Sequence, residues 1–304
     1  MFYSIKDKIN RFFFQKTCAK ILTIAPLKMQ KKSDTAVLTL LQHKDVFMFL
    51  VAAKSFARQI PIGSVYILND GTLTSHDKTI LSSHIEQVEF VELNEITNEH
   101  CPQGSCWERL LAIAERAKDQ YIVQIDSDTV TLDAINEVAE HIKNNRSFVI
   151  ATWDDQTIEP MQTSSERIKK NVNPGPDAHV QMVAEQAFGR LPECQNLKYV
   201  RGCAGFSGFA KGSIDKHFIE RISTEMETLI GNKWHDWGSE QVMSNIVVAN
   251  TPNAAVLPHP KYCDCTKINA TETHFIHYVG SCRFTTKHYA NTVAKTIENL
   301  SSKT

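Results

Sequence analysis

The nonapeptide YIVQIDSDT, Tyr121 to Thr129, decides how the chain is read. Five residues of strand-forming, mostly apolar character end abruptly in two aspartates separated by one residue. Side chains alternate with period two along an extended segment, so Asp126 and Asp128 point to the same side and meet one ligand together. Two adjacent carboxylates repel each other, and a bound cation relieves that cost. Oxygen ligation suits Mg²⁺ or Mn²⁺, which keep coordination positions open for the phosphates of a substrate. The plainer reading of the same residues is a turn, where aspartate is common.

Around this stretch, apolar runs alternate with amphipathic segments, the signature of an α/β architecture with a mainly parallel sheet. Strands are expected at Ala36–Leu41, Ser64–Leu68, Val88–Leu93, Tyr121–Ile125, Phe148–Thr152 and Arg201–Phe209. Helices are expected at Asp45–Phe56, Ser75–His84, Trp107–Lys118, Leu132–Ile142 and Ser239–Ala249, the first, third and fifth with apolar residues on one face. Ligands of such sheets lie beyond the carboxyl ends of the strands, which is where the aspartate pair falls. Residues 154–192 have weak periodicity and hold Pro160, Pro174, Gly175 and Pro176, and they read as an excursion or mobile loop that shapes the pocket. The division expected is a basic N-terminal segment (1–35), one large domain (36–290) and a polar, frayed tail (291–304).

The order of VLTLL, SVYILNDG, a WERLL helix running into YIVQIDSDT, a Gly-rich strand and then HYVG (277–280) resembles the nucleotide-sugar-dependent glycosyltransferases of GT-A fold, and in part glycosyltransferase family 8. The resemblance implies a Rossmann-type mixed sheet flanked by helices and an enzyme that moves a sugar from a nucleoside diphosphate donor, a UDP-sugar by preference. It implies that Asp128 ligates Mn²⁺ or Mg²⁺ directly and that Asp126 contacts the metal or the ribose. His277 matches the late metal-binding histidine of an H-x-x-G-x-x-K pattern, and Gly280 then lets the backbone approach the phosphates. Arg283 stands where that pattern has lysine, and the Pro-Trp that follows it is absent; arginine still binds phosphate, bidentately. Lys287 is expected to add to this clamp. Arg109 matches a basic residue that contacts the nucleotide, or is a solvated helix-face charge. Asp70, in an Asn-Asp-Gly turn, matches a nucleoside-recognition position or simply caps the turn.

The acceptor side rests on two further stretches. Gly202, Gly205 and Gly208 sit at three-residue intervals in an apolar strand, which points to close approach by a ligand or another backbone. WHDWGSEQ (234–241) brings aromatic and acidic groups to the start of a helix, with Ser239 expected as its N-cap and Glu240 in its first turn. An ionised Glu240, with Asp236 as the competing candidate, is placed to deprotonate an acceptor hydroxyl. Glu240 as a helix-terminus charge with both tryptophans in the core is the alternative. Two other functions compete with glycosyl transfer. A sugar-1-phosphate nucleotidyltransferase normally carries a Gly-rich loop after its first strand, and Gln42–Asp45 has no glycine. A non-catalytic glycan- or partner-binding module on the same fold is the other.

Across 304 residues, 33 Lys+Arg balance 34 Asp+Glu, so nothing global points to nucleic acid as a partner. The charges are nevertheless segregated. Residues 1–32 hold eight bases and one acid, leaving 25 of the bases against 33 of the acids in the remainder. Phe2, Ile5, Ile9 and Phe12–Phe14 roughly follow helical spacing, so the segment either lies on an anionic membrane surface or packs on the body as a basic helix. No apolar stretch is long enough to span a bilayer, and no secretory signal is evident, so a cytoplasmic enzyme is expected, acting on a glycan or lipid-linked acceptor at the inner membrane face. The eight cysteines are scattered, and reduced thiols are the expectation. Cys263 and Cys265 near His259 are a poor match to zinc-ligand spacing.

Overall fold

The computed structural model describes residues 5–302 apart from 172–174, 176 and 281. Strands β1 (Thr35–Leu41), β2 (Ser64–Asn69), β3 (Val88–Glu92) and β4 (Tyr121–Ile125) are mutually parallel and lie in the order β4-β1-β2-β3. The chain then makes β5 (Thr129–Thr131), β6 (Phe148–Ile150), β7 (Glu159–Pro160), β8 (Lys198–Tyr199), β9 (Cys203–Phe209), β10 (Ala255–Leu257), β11 (Tyr262–Asp264) and β12 (Phe275–His277). The main sheet has the order β10-β6-β9-β4-β1-β2-β3, with β9 antiparallel to both of its neighbours. A three-stranded sheet, β11-β12-β5, and the pair β7-β8 complete the strands.

Ten helices are interleaved among the described residues: α1 (Ile5–Cys18), α2 (Val46–Ala57), α3 (Ser75–His84), α4 (Trp107–Arg116), α5 (Asn136–Lys143), α6 (Met161–Asn171), α7 (Val180–Ala187), α8 (Lys216–Ile230), α9 (Ser239–Ala249) and α10 (His288–Ser301). Alternation along the parallel strands assigns their side chains to two cores. Val37, Val65, Ile67 and Val123 face α1, α2 and α10, whereas Ala36, Leu38, Leu68 and Ile122 face α4, α8 and α9. Local signals set several ends: Thr74 caps α3, and its hydroxyl and the Asp77 carboxylate exchange hydrogen bonds with each other's backbone amides at 3.2 and 2.8 Å.

Three expectations are revised. The helix expected from Leu132 starts at Asn136, because residues 129–131 form β5 and the amide of Leu132 donates to His274 at 2.7 Å. Residues 154–192 are no loop: they carry α6 and α7, whose Met161, Val180, Ala184 and Ala187 are buried; Pro174 and Pro176 lie outside the described residues. The tail is not frayed over residues 291–301, since α10 buries Tyr289, Val293 and Ile297, while Lys303 and Thr304 lie outside the described residues. α1 packs on α10 through Phe14, which stacks on Tyr289 at 4.4 Å; Phe2 is outside the described residues. Among the described residues no helix is long and apolar enough to cross a membrane.

Candidate functional site

A cavity of about 370 Å³ opens beyond the carboxyl ends of β1 and β4, the size range of small-ligand sites. Asp126 and Asp128 follow directly on β4 and line it. Pairing of β12 with β5 carries His277 to them. The register sets His277 against Thr129, and the amide of Tyr278 donates to the Asp128 carbonyl at 2.8 Å. The imidazole Nε2 then lies 3.2 Å from an Asp128 oxygen and 3.8 Å from an Asp126 oxygen. One ligand atom from each of the three residues lies within 4.8 Å of the other two.

Two features fix the ring. Nδ1 of His277 is 2.9 Å from the Cys203 sulfur, which leaves Nε2 facing the aspartates. A Cβ built at Gly205 would fall 2.1–2.6 Å from ring atoms of His277, so only glycine at this point of β9 gives the ring its place. Gly202 and Gly208 make room for the side chains of Val149 and Phe148, and neither lines the cavity.

The electrostatics follow from this crowding. Burial opposes the charge on Asp128, but His277 and Arg283 outweigh it and hold its carboxyl below the usual range. Burial likewise opposes an imidazolium at His277, and the Cys203 sulfur and Asp128 together overcome it, so the histidine pKa lies well above its ordinary value. Two oxygens and one imidazole nitrogen form a donor set that fits a divalent ion such as Mn²⁺, with positions left for phosphate oxygens. The cluster is poised for a cation, and here the imidazolium and Arg283 balance the carboxylates.

Arg283 contacts Asp128 and is anchored by its own Nε donating to the Tyr278 carbonyl at 3.2 Å. The turn that carries it is tied down by a disulfide between Cys265 and Cys282, which corrects the expectation of reduced thiols for that pair and removes Cys265 from any zinc site. Gly280 also lines the cavity, and a Cβ there would meet nothing within 4 Å, so the space beside its backbone is open.

Arg109 is buried beneath the pair, with Nη1 2.7 Å from Asp126 and Nη2 2.9 Å from Glu240. It is not a solvated charge: it is buried, holds two carboxylates and forms part of the cavity wall. Glu240 enters from the first turn of α9, where burial raises its pKa against the opposing pull of Arg109. Its Oε1 is buried without a hydrogen-bond partner, and Glu240 is among the residues of the cavity wall. Ser239 is the first helical residue rather than the cap, which is Gly238 at φ +103°; the serine hydroxyl instead accepts from the Trp107 indole at 2.9 Å, tying α9 to α4.

Other expected members stand apart. Asp236 lies outside the cavity wall, 2.7 Å from Lys233. Asp70 accepts from the amide and hydroxyl of Thr72 as a turn residue and does not line the cavity. Lys287 lies over the Phe13 ring at 5.9 Å, away from the cavity wall. Of the two tryptophans, Trp234 is core and Trp237 is 70% exposed at the cavity. Among the described residues of 154–192 none lines the cavity; that region backs it, with His179 edge-on to Trp237 at 5.7 Å and Gln181 3.3 Å from Gln241. Lys44 and Asp45, in the loop after β1, line it and were not singled out from the sequence, although their place at a strand's carboxyl end was the available signal.

The fold matches known structures. The fold is that of the GT-A glycosyltransferases. The bifunctional glycosyltransferase WbbM superimposes with a TM-score of 0.53 at 14% identity, over 90% of this chain and 51% of the WbbM chain, so the chain spans about half of that protein. The galactosyltransferase LgtC, solved with donor and acceptor sugar analogues, aligns at a TM-score of 0.45 and 8% identity over 88% of this chain and 97% of its own. Core-mannan synthase A of Aspergillus fumigatus, in an Mn/GDP form, gives 0.42 and 9% over 74% and 72%. No protein-family model matches the sequence, and no curated protein matches it.

Proposed function

We propose that the protein is a metal-dependent glycosyltransferase that moves a sugar from a nucleoside diphosphate donor, a UDP-sugar by preference, to a hydroxyl of a glycan or lipid-linked acceptor. The convergence of Asp126, Asp128 and His277 at the open end of the sheet carries this reading. Similarity to family 8 enzymes is consistent with the same residues. A bound Mn²⁺ or Mg²⁺ supplies positive charge to the leaving diphosphate. Asp126, Asp128 and His277 hold it; Arg283 and Lys44 stand as cations on the same wall to bind phosphate oxygens. Arg109 is a positioning residue that fixes Asp126 and Glu240 relative to each other.

Transfer forms a bond from the acceptor oxygen to the sugar's anomeric carbon and breaks the bond from that carbon to the diphosphate oxygen. The bond pair leaves with the nucleoside diphosphate, and Glu240 takes the acceptor proton through its unpartnered Oε1. Trp237 offers an exposed ring face for the apolar side of a sugar. The test is release of nucleoside diphosphate from UDP-, GDP- and CDP-sugars with Mn²⁺ or chelator present. Metal-dependent release from one donor class is expected, and Glu240→Gln lowers its rate by about 100-fold or more while donor binding persists. No release from any donor, or full rate in Glu240→Gln, contradicts the proposal.

A further inference from the structure

Seven large hydrophobic side chains are exposed among the described residues, and four of them (Ile9, Phe12, Phe13 and Leu22) fall within one short stretch, so this is a patch rather than scatter. Ile9, Phe12 and Phe13 are spaced i, i+3, i+4 and share one face of α1, exposed by 49, 54 and 51%. The opposite face fixes the helix firmly. Phe14 and Cys18 are buried, and the buried Asn10 amide donates to the Phe284 carbonyl at 2.8 Å. The outward aromatic face is therefore held on a rigid mount.

Cations frame this face. Lys8, Lys16 and Lys20 are exposed; the Lys16 ammonium lies 4.8 Å over the Phe12 ring and that of Lys287 5.9 Å over Phe13. Outside residues 1–32 the chain is net acidic, so the positive charge is concentrated here. Aromatic rings flanked by flexible ammonium groups match the boundary between acyl chains and anionic headgroups, where rings enter the apolar layer and lysines stay with the phosphates. Two copies meeting through this face would instead bring two sets of lysines together, at a cost.

We infer that the exposed face of α1 docks the protein on an anionic lipid bilayer, with Phe12 and Phe13 inserted and Lys8, Lys16 and Lys20 against the headgroups. The buried face of the same helix leads toward the cavity: Phe284, which packs on Phe14 at 5.3 Å, directly follows the cavity residue Arg283. The docking does not depend on sugar transfer and is measured without a substrate.

The experiment is co-sedimentation of the full chain with phosphatidylcholine vesicles with or without about one-third phosphatidylglycerol, at low and high salt. Binding to the anionic vesicles that weakens with salt is expected. Phe12→Ser/Phe13→Ser is expected to lower it by at least about tenfold, and Lys8→Gln/Lys16→Gln/Lys20→Gln by a similar factor. Circular dichroism melts confirm that the variants fold, since all five side chains are exposed. Equal binding to neutral vesicles, no binding to anionic ones, or unchanged binding of the folded Phe12→Ser/Phe13→Ser protein overturns the inference. So does a dimer seen by light scattering that the same double substitution dissolves.

Discussion

Asp128 and His277 form an ion pair that a metal bound as proposed would have to break. A ligating imidazole is neutral, so a cation entering this cluster displaces the proton that Asp128 and Cys203 help His277 to hold. The sign of the resulting pH dependence is fixed. The raised histidine pKa stabilises the metal-free fold fully below about pH 6.5, and that contribution fades as pH climbs through the folded-state value. The lowered Asp128 pKa stabilises above the ordinary carboxylate range and is lost as pH falls. Mn²⁺ should therefore bind more tightly as pH rises above neutrality and should release a proton. Calorimetric titration in two buffers of different ionisation heat measures that proton; identical heats in both would refute it. The aspartate pair was legible in the sequence because both members lie in one short stretch. The Arg109 bridge between Asp126 and Glu240 was not, since it joins the end of β4 to α9, far apart in the chain, and only packing brings them together.

Two strand pairings build the site. β5 is three residues long and carries no strong pattern of its own, so neither it nor its antiparallel register with β12 could be read from periodicity. That register nevertheless decides where His277 lies. β9 supplies the other half, because Gly205 leaves the volume the ring occupies. Gly205→Ala should force the imidazole aside, lowering Mn²⁺ affinity by about 10- to 100-fold and costing about 1–3 kcal/mol of stability from overpacking. Manganese titration followed by electron paramagnetic resonance, with a denaturant melt alongside, reads both; unchanged metal affinity in a folded Gly205→Ala protein would mean the ring is not held by this strand. The long apolar strands and the α4 and α9 helices were legible because their hydrophobic periods are strong. Residues 154–192 were not, since α6 buries Ser164 and Ser165 beside Met161 and Ile168 and α7 buries Glu185 beside its apolar residues, so neither buried face reads as an apolar stripe.

The molecule has two cores on the faces of one twisted sheet, and α1 and α10 close one of them. α1 thus has a dual character that composition alone left open: Phe14 is core, while Phe12 and Phe13 are exposed. Phe14→Ala should cost about 3–5 kcal/mol, and Phe12→Ala no more than about 0.5 kcal/mol, by urea denaturation; equal costs would mean that α1 is seated differently. The segregation of basic from acidic residues was legible at the level of the whole chain, but which aromatic side chains face outward depended on the seating of α1 against Phe284 and Tyr289.

Sugar transfer stands or falls with the grip of the acidic pair on a cation and of that cation on a diphosphate. Isothermal titration of UDP into the protein, with Mn²⁺ and then with chelator, addresses it in one instrument, using Asp128→Asn as the comparison. UDP should bind in the presence of Mn²⁺, lose at least about 100-fold in affinity when the ion is chelated, and lose a similar factor in Asp128→Asn. UDP binding of equal strength in chelator, or in Asp128→Asn with Mn²⁺, would contradict the assignment of Asp126, Asp128 and His277.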